Sequence, residues 1–167
     1  MVWATFRALR RYQEALTAYE QAIFLEPYLL PAYNGKGNTL YNLKRYGEAL
    51  TAYEQAIVLA PHIALLYSNK GNTLRNLYRH EEALSAYELA ISLAPSKATH
   101  CYYKGIALFG LGRYEEALSA YERAIELVPN YAAAFIGKGT TLRTLLEISR
   151  YLHCSTLLSE TKPVSST

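Results

Sequence analysis

The sequence predicts an all-α protein, a solenoid of antiparallel helix pairs. Three observations predict it. Prolines fall at Pro27, Pro61, Pro95 and Pro129, a constant step of 34 residues, and Gly37, Gly71, Gly105 and Gly139 keep the same step. So do Ala15, Ala49, Ala83 and Ala117, and Tyr19, Tyr53, Tyr87 and Tyr121, while residues 14–23 and 48–57 read identically. Fixed periods of this length mark stacked supersecondary units. Third, each period holds two apolar stripes at helical spacing and no alternating β-branched run.

The elements follow in order. Residues 1–29 hold a short first helix and a full second helix. Residues 30–63, 64–97 and 98–131 are complete units. In the unit at 30–63, Tyr33, Gly37, Leu40 and Leu43 make one helical stripe, Lys44-Arg45 interrupts it, and Tyr46, Ala49, Leu50, Tyr53, Ala56, Ile57 and Ala60 make the second. Pro61 stops that helix, because proline lacks an N–H and pushes its predecessor out of helical geometry. Glu14, Glu48, Glu82 and Glu116 open the second helices, where the helix dipole favours acids. Residues 132–146 supply one more first helix. Its expected partner is missing, since 147–152 read E-I-S-R-Y-L. The spacing of Leu145, Ile148 and Leu152 predicts a terminal helix extension over 147–158, and the polar stretch 159–167 is expected to be disordered. Trp3 stands where other units have Gly, and the sequence is expected to be a piece of a longer array.

The repeated glycine needs a steric reason, because Gly costs roughly 1 kcal/mol in a helix interior relative to Ala. Close approach of the two helices of one pair supplies it, with the Tyr53 column filling the space beside Ala56.

Composition bounds the function. The 167 residues are 51% hydrophobic and 19% charged, with 16 Tyr, and the net charge is +3. That excludes collagen-like and low-complexity classes and argues against nucleic acid as partner. Cys101 and Cys154 make no disulfide framework and no zinc-ligand pair. The start has no apolar signal region, and no stretch approaches a spanning helix. A cytoplasmic protein without membrane contact is expected.

The columns Tyr33, Gly37, Leu40, Tyr46, Ala49, Tyr53, Ala56 and Pro61 resemble the tetratricopeptide repeat family. The match recurs from Tyr67 to Pro95 and from Cys101 to Pro129, and the resemblance covers residues 1–146. His80 and Cys101 depart from it where a large aromatic is usual, and Lys36, Lys70, Lys104 and Lys138 occupy a commonly apolar column. The resemblance implies a right-handed superhelix whose first helices line a concave groove. Off the packing stripe, the groove then receives Asn34, Asn38, Tyr41 and Asn42, then Ser68, Asn72, Arg75 and Asn76, then Tyr102, Ile106 and Phe109, and finally Ile136, Thr140 and Arg143. Asparagine carries both donor and acceptor groups, so Asn38 and Asn72 are candidates to clamp an extended peptide backbone. Tyr102, Ile106 and Phe109 are expected to form an exposed apolar patch for an anchor residue. Some family members hold acidic chaperone tails in a carboxylate clamp. The matching columns here, Asn34, Asn38, Asn69, Thr99 and Tyr103, lack its basic residues.

The lysine column is expected to pair with Glu20, Glu54, Glu88 and Glu122. His100-Cys101 is poor site geometry, because neighbours on a helix point about 100° apart. No phosphate loop, HExxH or nucleophile elbow occurs, so no catalytic, cofactor or metal site is assigned. The leading reading is a non-enzymatic interaction scaffold that binds a protein or peptide in the groove. The alternatives are self-association through exposed array ends, regulation of a catalytic domain attached elsewhere, and single-stranded RNA binding.

Overall fold

The computed structural model describes the backbone of residues 2–160 and the side chains of residues 9–153. Within them lie eight helices and no strand: α1 (Val2–Leu25), α2 (Leu30–Asn42), α3 (Tyr46–Leu59), α4 (Ala64–Asn76), α5 (His80–Leu93), α6 (Ala98–Gly110), α7 (Tyr114–Leu127) and α8 (Ala132–Glu160). The pairs α2/α3, α4/α5 and α6/α7 are the three complete units. Each second helix also packs on the next first helix. First helices touch the following first helix, at α2/α4, α4/α6 and α6/α8, whereas second helices do not touch one another. The first helices therefore form the inner, shorter side of a curved stack.

The turn inside each pair has one design. Lys44, Tyr78 and Gly112 take left-handed backbone with φ of 60°, 59° and 74°. Arg45 N–H donates to the Leu40 carbonyl at 2.9 Å and Lys44 N–H to that of Tyr41 at 2.9 Å. That double bond with a left-handed residue ends a helix and satisfies its orphan carbonyls. The second helix opens on a forked pair, Arg45 to Glu48 at 2.6 Å, repeated at Arg79–Glu82 and Arg113–Glu116. Below, Tyr33 and Tyr67 hydroxyls donate to the carbonyls of Pro27 and Pro61, tying each first helix to the preceding loop.

The glycine column packs as the spacing predicts, with one exception. A Cβ placed on Gly37, Gly71 or Gly105 would stand 2.6 Å from the ring of Tyr53, Tyr87 or Tyr121. Those rings are buried beside Ala49, Ala56, Ala83, Ala90, Ala117 and Ala124, all 0% exposed. Gly139 is the exception, because a Cβ there would meet nothing within 4 Å. Its tyrosine would belong to a second helix that does not fold back.

The N-terminal end differs from the sequence expectation, and the C-terminal end follows it. Residues 1–29 do not hold two helices, since α1 runs unbroken from Val2 to Leu25. Arg10 stands in the column of Lys44, but its Nε pairs one turn on with Glu14 at 3.1 Å, an i,i+4 contact that needs continuous helix. At the other end α8 continues through 147–160. Leu146 falls at the turn's left-handed position but stays helical, and residues 147–152, which read E-I-S-R-Y-L, lack the columns of a second helix. The side chains of Trp3 and Cys154, and the expected tail from residue 161 onward, lie outside the described residues.

The lysine column forms the expected ladder. Lys36, Lys70, Lys104 and Lys138 reach Glu20, Glu54, Glu88 and Glu122 at 2.8–3.0 Å, each joining a first helix to the preceding second helix. Half-exposed pairs of this kind contribute only about 0–1 kcal/mol each.

Candidate functional site

The inner face is built from one turn-spaced row per first helix. On α2 and α4 these rows meet. A cavity of about 410 Å³ opens there, lined by Asn38, Tyr41, Asn42, Asn69, Asn72, Tyr53 and Tyr103. Its polar groups are already oriented. Tyr53 hydroxyl donates to Asn38 Oδ1 at 2.7 Å, and Tyr87 hydroxyl to Asn72 Oδ1 at 2.8 Å. Asn69 Nδ2 donates to Asn34 Oδ1 at 3.3 Å and to Asn38 Oδ1 at 3.4 Å. Asn76 Nδ2 donates to the Tyr41 hydroxyl at 2.8 Å. Burial pushes the Tyr53 and Tyr87 phenols well above their ordinary value, so both remain protonated donors at neutral pH.

The consequence for Asn38 and Asn72 is geometric. Each amide spends its carbonyl oxygen on a tyrosine from the second helix, which leaves its NH₂ group to donate elsewhere. Arg75 stands beside Tyr87, and its Nε is buried with no hydrogen-bond partner among the described residues. One guanidinium therefore lies next to Tyr87, close to but not among the neutral amides and phenols that line the cavity.

Not every sequence-assigned residue reaches this place. Asn38, Tyr41, Asn42 and Asn72 line the cavity, Asn34 and Asn76 hydrogen-bond to lining residues, and Arg75 lies beside Tyr87. Ser68 does not: it is buried, with its Oγ 2.6 Å from His100 Nδ1, so it ties α4 to α6. Nor do Tyr102, Ile106 and Phe109 form an exposed patch. All three are half-buried against the core, Tyr102 between the rings of Tyr103, Tyr121 and Tyr131, and Phe109 edge-on to Tyr114 at 5.3 Å. Thr140 is half-buried and accepts from Thr144 through its backbone carbonyl, Arg143 lies in solvent near Glu147, and Ile136 is exposed. None of these three lines the cavity.

Three lining residues escaped the groove assignment. Asn69 and Tyr103 sit one position off the chosen row, and Tyr53 belongs to a second helix. Tyr103 stacks on Tyr87 with ring centroids 5.8 Å apart. The signal for Tyr103 was present in the sequence as a doubled aromatic, Tyr102-Tyr103.

The Ser68–His100 contact has a pH consequence. Burial holds the His100 imidazole below its ordinary value of 6.5. Its neutral form is the folded form, so this contribution to stability is full above about 6.5 and is lost as pH falls through the depressed folded value. Wild type should unfold at lower denaturant at pH 5 than at pH 7.5. His100→Gln should shrink the difference, and an unchanged difference in urea titrations would count against His100 as its source. The exposed Glu48, Glu82 and Glu116, held low by their arginines, act in a separate window below 4.5.

Among the described residues no three His, Cys, Asp or Glu side chains lie close enough to hold a metal ion. None of their helices is long and apolar enough to cross a membrane.

Comparison with known proteins covers the same repeats. Family models described as tetratricopeptide repeat match residues 31–63, 64–97 and 98–131. No curated protein matches the chain. Among solved structures, the Sgt2 TPR domain from Aspergillus fumigatus is 27% identical, with 83% of this chain and 87% of that chain covered and a TM-score of 0.69. The first TPR of Spaghetti, bound to an HSP90 peptide, is 28% identical, with 70% and 93% covered and a TM-score of 0.68. YrrB, described as a TPR protein with an unusual peptide-binding site, is 26% identical, with 84% and 73% covered and a TM-score of 0.69.

Proposed function

The chain belongs to the tetratricopeptide repeat family, and from that premise we propose that it is a non-catalytic interaction scaffold whose inner groove binds an extended peptide of a partner protein. One observation carries the reading: the amides of Asn38 and Asn72, one repeat apart, are each fixed by a tyrosine hydroxyl from the paired second helix. An amide already held in one orientation loses little freedom on binding, which reduces the ordering cost of association. The two NH₂ groups then serve two backbone carbonyls of the ligand, whatever its side chains. Arg75 adds a preference for an acidic residue beside them. Peptide binding in the Spaghetti and YrrB structures is in keeping with this use of the fold.

The test uses peptides selected on the wild-type protein from a random display library. Asn38→Ala/Asn72→Ala should weaken their binding by about tenfold or more, equivalent to ~1.4 kcal/mol, in fluorescence anisotropy. Arg75→Gln should weaken acidic peptides and spare neutral ones. Equal affinity for wild type and the double variant would overturn the groove reading.

A further inference from the structure

The two ends of the array carry matching deficits. In a complete stack, Tyr121 sits between Gly105 of its own pair and Gly137 of the next. Tyr19 meets Gly35 of the following pair, but among the described residues no glycine of its own pair faces it. Gly139 has the opposite lack, a glycine without its tyrosine. Burial repeats the pattern. Ala49, Ala52 and Ala56 are buried in α3, whereas their counterparts in α1 are half-buried at Ala15 and Ala22 and exposed at Ala18. On α8, Leu142 is 47% exposed, where Leu40, Leu74 and Leu108 in the same column are 1% exposed. The side of α8 that faces the preceding unit is covered, with Ala134 and Thr141 at 0%. Among the described residues, half of α1 is thus a second helix without a first, and half of α8 is a first helix without a second.

We propose that residues 12–23 of one copy seat on the Phe135–Gly139–Leu142 face of α8 of another copy, completing a helix pair between two chains. The occupant is argued from the sequence it carries. Residues 14–23 are identical to 48–57, the segment of α3 that already covers the corresponding face of α2 at Gly37 and Leu40. The unbroken run of both helices fits the same arrangement. In an ordinary pair the chain turns back after the first helix. Here α8 runs on past that point to Glu160 and α1 arrives from Val2 before it, so the two extensions lie antiparallel, side by side. Exposed Ile148 and Leu152 on one and Leu9 on the other are available to meet. The interface joins different surfaces, so repetition gives a chain of copies or, if the rotation closes, a ring. The groove between α2 and α4 takes no part in it.

Light scattering across a dilution series of the full chain tests this. Wild type should grow in mass with concentration. Gly139→Arg and Ala18→Arg each spoil one end, and both positions are open, so neither variant disturbs its own fold. Leu142→Glu is a second variant at the C-terminal face. Each variant alone should remain a monomer. An equal mixture of Gly139→Arg and Ala18→Arg should give a dimer and stop there, because one intact end of each kind remains. A wild type that stays monomeric at every concentration overturns the proposal. So does a Gly139→Arg protein that assembles like wild type, or a mixture that shows no dimer.

Discussion

Tyr87→Ala is expected to destabilise the protein by about 3–5 kcal/mol, the range for truncating a large buried aromatic to alanine. The ring is 0% exposed and fills the space left open by Gly71. It also stacks on Tyr103 and donates to Asn72, so its loss opens a cavity, frees a neighbouring ring and releases a groove amide together. Tyr87→Phe separates these effects. It keeps the packing and removes the hydroxyl, at a cost of about 0.5–1.5 kcal/mol. Tyr151→Ala is the control, since Tyr151 is 77% exposed on α8. Urea titrations of the three variants give the order. A Tyr87→Ala protein no less stable than Tyr151→Ala would remove the packing argument.

Gly71→Leu carries the second large effect, a loss of about 1–3 kcal/mol from overpacking. Its first added carbon would stand 2.6 Å from the Tyr87 ring, and that ring is enclosed on all sides. The same column offers an internal contrast. Gly139→Ala adds a carbon where nothing lies within 4 Å, so only helix propensity changes and stability should rise by about 0.5–1 kcal/mol. Opposite signs at two positions of one column, read by thermal melting at low protein concentration, distinguish steric contact from any general dislike of side chains at that column. Equal losses at both positions would refute it.

The interior of the array was legible because every column there has the same neighbours. Gly37, Tyr53, Ala56 and Pro61 recur in identical surroundings, so period alone tells what they touch. The ends were not legible on the same ground. Gly139 carries the repeat's letter without the repeat's neighbour, and Arg10 carries the turn's letter inside a continuous helix. At the groove, the family resemblance pointed to the inner side of the first helices, and α2 and α4 carry the same small polar row there. On α6 that row becomes Tyr102, Ile106 and Phe109, and spacing cannot distinguish an apolar residue that faces the groove from one that packs against the core. Ser68 was misplaced for a related reason. Its partner, His100, lies 32 residues away, close to one period, and such a cross-unit contact leaves no trace within either unit.

The left-handed residue of each turn decides more than a local bend. With Lys44, Tyr78 or Gly112 the chain reverses and the next helix is laid down beside the last. With Leu146 it does not, although the flanking residues still favour helix. The length of the solenoid is therefore written in two places, the left-handed residue that lets the chain reverse and the repeat columns that follow it, and at 146–152 both are missing.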